Sequence, residues 1–227
     1  SPEQIADWLK RTQRVWLSHE RIYQYLRADR LAGGNWHAQL RRRLGLRRAR
    51  RSTAYKGKIT QRVSIDQRPS IVDEKSRIGD WEADLMLGGQ GGGALLTVVE
   101  RKSRWTCMAR LPSKQSEVVA EALINLLRPY KKQAKTVTLD NGNEFAQHVN
   151  VSKALQASVY FAHPYCAWQR GLSENTNGLL RQYFPKGTNF KIIHQVKLDQ
   201  IQKRLNQRPR KGLEFLTPQQ IFQPERS

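Results

Sequence analysis

Residues 134–184, AKTVTLDNGNEFAQHVNVSKALQASVYFAHPYCAWQRGLSENTNGLLRQYF, decide how the chain folds. Val137 and Leu139 alternate with threonines, the period-two pattern of a strand, and the run stops on Asp140-Asn141-Gly142. A helical pattern over 144–155 and a second strand at 158–162 follow, and then a polar helix carries Glu174 at its head. Between Asp140 and Glu174 lie 33 residues, room for one helix and one strand before the second acid returns.

Working outward, residues 80–87 (DWEADLML) read as a strand, Gly88 to Gly93 (GGQGGG) as a turn, and 94–100 and 105–111 as two more strands. That is a three-strand meander with short turns. Residues 117–127 (EVVAEALINLL) predict a strongly apolar-periodic helix, and 196–205 a last helix before Pro209 and the tail segment FLTPQQIF. Three antiparallel strands followed by helix–strand units predict an α/β fold. The expectation is a mixed five-stranded sheet with helices on both faces, in ribonuclease-H-like order.

Ahead of this core, Ser1-Pro2-Glu3-Gln4 is a helix-start signal with a capping box, and Ile5, Trp8 and Leu9 give one apolar face. Ser18 can cap a second helix, HERIYQYLRADR, with Ile22 and Leu26 inward and Arg21, Gln24, Arg27 and Arg30 toward solvent. The pair suits a helix-turn-helix whose second helix enters the major groove; a plain helical hairpin is the other reading. Gly33-Gly34 ends the unit. From Arg30 to Arg62 there are eleven Lys or Arg and no acid, densest in RRRLGLRRARR at 41–51. Such a run is a solvated basic linker able to track phosphates, with Arg41, Arg42, Arg43, Arg47 and Arg48 as its contacts. The expected organisation is a helix-turn-helix at 1–34, a basic linker at 35–72 and a catalytic domain at 73–227.

Composition narrows the partners. Forty Lys and Arg against nineteen Asp and Glu give a net charge of +21, which points to a polyanion, nucleic acid first. No apolar run approaches the roughly 20 residues of a membrane span, and no signal peptide is visible. Cys107 and Cys166 are too few for a disulfide scaffold or a zinc site, which suits a reducing compartment. There is no phosphate-binding loop ending in Lys-Ser/Thr and no nucleophilic Ser/His pair.

The chemistry therefore rests on acids. Asp80, Glu82 and Asp84 share one face of their strand. Two ionised carboxylates about 4 Å apart repel by about 4 kcal/mol at an effective dielectric of 20, and a cation offsets that. Asp80 and Glu82 read as the acids of a solvated edge strand; Asp84, taken as the deepest of the three, is the choice of metal ligand. Asp140 precedes Asn-Gly, a turn pair, but it also ends a strand of the kind that delivers ligand sites in α/β sheets. Glu174 in a helix's first turn can merely complement the dipole. With Asn177 and Arg181 at i+3 and i+7, however, it lines one wholly polar face. His163 reads as structural, Trp168 as core, and Arg170 as a phosphate contact.

At these residues the chain resembles the DDE transposases of the IS-thirty family of bacterial insertion sequences. The resemblance is carried by GDWEADL (79–85), TLDNGNEF (138–145), AHPYCAWQRGLSENTNGLLRQYFPKGT (162–188) and LNQRPRKGLEFLTPQQIF (205–222). It implies an integrase catalytic core with Asp84, Asp140 and Glu174 as a triad holding two Mg²⁺ or Mn²⁺ ions. The implied substrates are double-stranded transposon ends and target DNA, cut and joined by a homodimer or higher oligomer in the bacterial cytoplasm, at the nucleoid. Ala83 stands where the family more usually has Gly. Family members carry a further DNA-binding segment upstream, so the chain is expected to be truncated there. The alternatives are a non-catalytic DNA-binding transposition repressor or another nuclease of the same fold.

Overall fold

The computed structural model describes residues 1–40, 59–164 and 166–223, without the side chains of Ala167 and Trp168. Arg41, Arg42, Arg43, Arg47 and Arg48 lie outside the described residues, as does the Trp168 side chain. The chain divides into two compact units, one drawn from Ser1–Thr53 and Arg208–Thr217, the other from Ala54–Gln207 and Pro218–Ser227.

In the first unit α1 spans Pro2–Thr12 and α2 His19–Leu31. Pro2 stands at the start of α1, where its missing N–H costs no hydrogen bond, and the Ser1 amine donates to Gln4 Oε1 at 2.8 Å. The Ser18 hydroxyl accepts the Arg21 N–H at 3.2 Å and caps α2. Gly33 takes φ +82° just past that helix, a left-handed turn that glycine adopts without strain. Ile22 and Leu26 are only half-buried, and no residue of α2 is buried. Segment 208–217 is tied to α1: Lys211 pairs with Glu3 at 3.0 Å, and Arg11 donates to the Glu214 carbonyl at 2.9 Å.

The second unit opens with α3 (Ile71–Glu74) and then builds one sheet from β1 (Asp80–Leu87), β2 (Ala94–Glu100), β3 (Thr106–Leu111), β4 (Thr136–Leu139) and β5 (Ser158–Phe161). Helices α4 (Ser116–Leu127), α5 (His148–Leu155), α6 (Gly171–Leu180), α7 (Gln195–Asn206) and α8 (Pro218–Phe222) surround it. The strand order is β3-β2-β1-β4-β5; the first three are antiparallel neighbours, while β1–β4 and β4–β5 run parallel. This is the mixed five-stranded sheet expected from sequence. The helix read at 144–155 is interrupted: a 3-10 turn at Asn143–Phe145 precedes α5. Packing on the sheet begins inside the stretch read as linker. Ile59 and Ile65 are buried, and Ser64 bridges to Phe161.

Two cores result, one on each face. Trp81, Ala83, Val98, Leu123, Val137 and Phe161 belong to one, against α4 and α5; Met86, Leu95, Met108, Leu179, Leu198 and Leu205 belong to the other, against α6 and α7. Alternation along β1 therefore sends Asp80, Glu82 and Asp84 to the α6 side. Gly79 sets the entry to β1 at φ +110°. A Cβ there would fall 1.9 Å from the Gln133 carbonyl oxygen, and the Gly79 carbonyl accepts the Lys135 N–H at 2.8 Å beside β4. Among the described residues no helix is long and apolar enough to cross a membrane.

Candidate active site

The parallel register between β1 and β4 pairs Asp80 with Thr136 and Glu82 with Thr138. Continued by two residues, it brings Asp84 beside Asp140, just past the end of β4. Two carboxylates thus meet where the parallel pairing of β1 with β4 runs out, Asp84 from the middle of β1 and Asp140 from just past the carboxyl end of β4. Asp140 closes its own turn by accepting the Gly142 N–H at 2.9 Å. Asn141 donates to the Ala162 carbonyl at 2.5 Å and is held by the Arg62 guanidinium, so the turn is anchored to the end of β5.

Arg170 spans the two acids. Its Nη1 lies 3.0 Å from Asp84 Oδ1 and its Nη2 3.2 Å from Asp140 Oδ2. On the other side of Asp84, Asn177 Nδ2 donates to Oδ2 at 2.6 Å, while Asn177 Oδ1 accepts from the Thr97 hydroxyl at 3.1 Å. Thr97 is directly opposite Asp84 on β2. Burial pushes the Asp84 carboxyl above its ordinary pKa, and the Asp140 charge adds to that; Arg170 opposes both without prevailing. Burial also pulls at Arg170, but Asp84 and Asp140 outweigh it and raise its pKa. The two partners thus pull in different senses. The direction for Asp84 is the one that follows from its surroundings, since one guanidinium shared by two carboxylates leaves net negative charge in a buried place. Glu144 stands near the same charges: burial first, then Asp140 and Asp84, raise its pKa.

Glu174 is exposed in the first part of α6, one turn before Asn177 on the same helix face. Asn177 is turned to Asp84, and Arg181 donates from Nη1 to the Pro185 carbonyl at 3.3 Å. Among the described residues no group of three or more His, Cys, Asp and Glu converges closely enough to hold a metal ion. The structure therefore joins Asp84 and Asp140 and places Glu174 on the helix above them. Arg21 and Gln24 lie in the first unit, both exposed, with Arg21 Nη1 donating to Gln24 Oε1 at 3.3 Å.

Asp80 and Glu82 correct the sequence reading. β1 is the central strand of five, and both acids are 1% exposed, deeper than Asp84. Each has its own cation: Arg77 meets Asp80 at 2.8 and 3.0 Å, with the Thr136 hydroxyl adding a third bond at 2.8 Å, and Arg101 meets Glu82. The like-charge row expected to need solvent is neutralised from neighbouring loops instead. Arg68 is also buried, donating to the Thr138 hydroxyl at 2.9 Å and pairing with Asp73. His163, read as structural, pairs with Asp66 at 2.8 Å.

The integrase core domain model matches residues 74–167, a span that includes Asp84 and Asp140 and stops short of Arg170 and Glu174. Over 224 residues the chain is 42% identical to the transposase for insertion sequence element IS4351 of Bacteroides fragilis, covering 98% of this chain and 68% of that protein. It is 39% identical over 235 residues to the transposase InsI for insertion sequence element IS30A of Escherichia coli (strain K12), covering 98% of this chain and 61% of the relative. A chain in the structure of a simian T-cell lymphotropic virus intasome, determined with a PP2A regulatory subunit, matches 66% of this chain and 56% of its own length. The TM-score is 0.54 at 19% identity, a likeness of fold. With its mixed sheet, its paired carboxylates and this identity over nearly its whole length, the chain belongs to the IS30-type transposases of insertion sequences.

Proposed function

We propose that the chain carries out metal-dependent cleavage and strand transfer at double-stranded insertion-sequence ends, with Asp84, Asp140 and Glu174 as its catalytic carboxylates. The observation that carries this reading is the meeting of Asp84, from the middle of β1, with Asp140, just past the end of β4, under one shared guanidinium and beside the helix that bears Glu174. The donor set fits a hard divalent cation. It consists of carboxylate oxygens, and a guanidinium already lies between two of them, so the place favours positive charge. Two Mg²⁺ or Mn²⁺ ions held by Asp84, Asp140 and Glu174 would supply charge neutralisation at the transferring phosphoryl group.

The chain's own residues do the rest. Asn177, itself fixed by Thr97, orients Asp84 through Oδ2. Arg170 offsets one of the two charges of the aspartate pair, and with a metal held by the pair its guanidinium would be available to a DNA phosphate. Arg181 and the helix face of Asn177 add to the DNA-facing surface, Arg21 and Gln24 read bases in the terminal inverted repeat, and Arg41, Arg42, Arg43, Arg47 and Arg48 follow the backbone. Joining two ends to one target calls for two such sites, hence a homodimer or higher oligomer acting on nucleoid DNA in the cytoplasm.

The test is cleavage and joining of a labelled insertion-sequence end in Mg²⁺ or Mn²⁺. Asp84→Asn, Asp140→Asn and Glu174→Gln should each abolish both steps while duplex binding is kept. Full activity in Glu174→Gln would remove that residue from the set and turn attention to Glu144. A wild-type chain that binds ends and never cuts them would favour a repressor.

A further inference from the structure

We propose that Glu82 is a positioning residue for this site: its carboxylate clamps the first turn of α6 to β1 and so sets where Glu174 stands relative to Asp84. The inference rests on the triad reading above and adds a residue to it. Glu82 lies two residues before Asp84 on the same face of β1, roughly 7 Å back along the strand. Its Oε2 accepts the backbone N–H of Ser173 at 3.0 Å, and Ser173 is the residue before Glu174. The strand that presents one acid thus holds the helical turn that presents another.

Two further features support this role. A helix start leaves N–H groups without partners inside the helix, and the residue at the cap position of α6 is Arg170, which makes no side-chain capping bond. Glu82 supplies an acceptor from a different element, with its charge at the favourable end of the helix dipole. The second feature is how firmly Glu82 is held. Its Oε1 accepts from Arg101 Nη1, and Arg101 is fixed in turn by the Val72 carbonyl at 3.0 Å and by Asp73 at 3.1 Å. A buried ion pair is no more stabilising than well-packed apolar residues of the same volume. What the carboxylate does here that an apolar side chain cannot is accept two donors in fixed directions, one from α6 and one from the Arg101 support.

Glu82→Gln tests it in the full-length chain. Glutamine keeps the shape but offers one acceptor oxygen to two groups that only donate, and at 1% exposure water cannot reach the one left over. The expected result is faster amide exchange at Ser173 and Glu174, and kcat for end cleavage lower by roughly 10- to 100-fold per folded molecule, as for other residues that orient a metal-site ligand. KM for the DNA end should stay at the wild-type value. The double variant Glu82→Gln/Arg101→Met frees the amide oxygen for Ser173 and should recover much of the lost kcat, although it is the less stable protein. A purely structural role predicts the opposite order, with kcat per folded molecule unchanged in the single variant and activity tracking the folded fraction in both. Wild-type kcat in folded Glu82→Gln, or wild-type exchange at Ser173, overturns the proposal. If Asp84→Asn and Glu174→Gln cleave normally, the triad reading fails instead, and exchange at Ser173 alone then decides whether Glu82 holds the turn.

Discussion

Replacing Asp84 with Asn should make the metal-free protein more stable and remove its response to metal. Arg170 Nη1, 3.0 Å from Asp84, contributes an attraction of about 5.5 kcal/mol at an effective dielectric of 20. Burial and the neighbouring Asp140 charge act against it, and the raised pKa of Asp84 means that together they exceed it. Neutralising the side chain removes both sides of that balance and leaves a net gain. Single stabilising substitutions commonly return about 0.5–2 kcal/mol, so a gain of about 1 kcal/mol, or roughly 2–4 °C in Tm for a protein of this size, is expected. The hydrogen bonds survive the change. An asparagine at 84 can face Arg170 with its oxygen if the Asn177 amide flips, and the Thr97 hydroxyl then turns from Asn177 Oδ1 to the Asp84 carbonyl, 3.2 Å away.

The assay is thermal unfolding in EDTA and then with Mn²⁺. A ligand at a hundred times its Kd stabilises the native state by about 2.7 kcal/mol, so the wild type should overtake Asp84→Asn once metal is added. The pH dependence carries a sign. Native Asp84 keeps its proton to higher pH than the unfolded chain, whose aspartates titrate at about 3.9. Wild-type stability therefore falls as pH rises from there through the raised native value, and the gap to Asp84→Asn opens across that window and then stays constant. A variant less stable than wild type in EDTA, or one that keeps the Mn²⁺ gain, would refute the reasoning.

Arg77→Ala takes the guanidinium from the buried Asp80 carboxylate, leaving it the Thr136 hydroxyl, and should lower stability by about 3 kcal/mol in chemical denaturation; a loss of only the ~1 kcal/mol typical of an exposed pair would contradict the burial of Asp80. If Arg21 and Gln24 read bases as proposed, Arg21→Ala or Gln24→Ala should narrow the gap between specific and random DNA by about 1–3 kcal/mol in competition binding. Equal losses on both DNAs would make α2 a phosphate-contacting or structural helix. Neutralising Arg41, Arg42, Arg43, Arg47 and Arg48 together should reduce the slope of log affinity against log salt by up to about 4 to 5, with an unchanged slope placing them away from DNA.

Local pattern carried the sheet, because each strand announces itself within its own residues. Thr136 to Leu139, Ala94 to Glu100 and the glycines after Leu87 each match a short-range rule, and the observed strands sit on or within a residue of the expected ones. The position of Asp140 at the end of β4 followed from the same kind of reading. What sequence pattern lacks is the identity of the partner across space. Arg170 reaches Asp84 and Asp140 over 86 and 30 residues, and no local rule distinguishes it from any other arginine in a chain of +21.

Glu82 and Asp80 were misread for a related reason. Three acids in alternation look like an edge strand because an isolated buried charge is so costly. The cost falls when a cation arrives from elsewhere: Arg77 from three residues upstream, Arg101 from just past the end of β2. The flanking residues held a clue. Trp81 and Ala83, on the opposite face of the same strand, are both fully buried, and a strand covered on both faces sits inside its sheet. Acids in such a strand must be paired, and once paired with donors that cannot move, they hold direction as well as charge. That is the basis for giving Glu82, held between Arg101 and the Ser173 N–H, a part in the geometry of the site, while Asp84, less buried and shared by Arg170 and Asn177, is the acid proposed to take a metal.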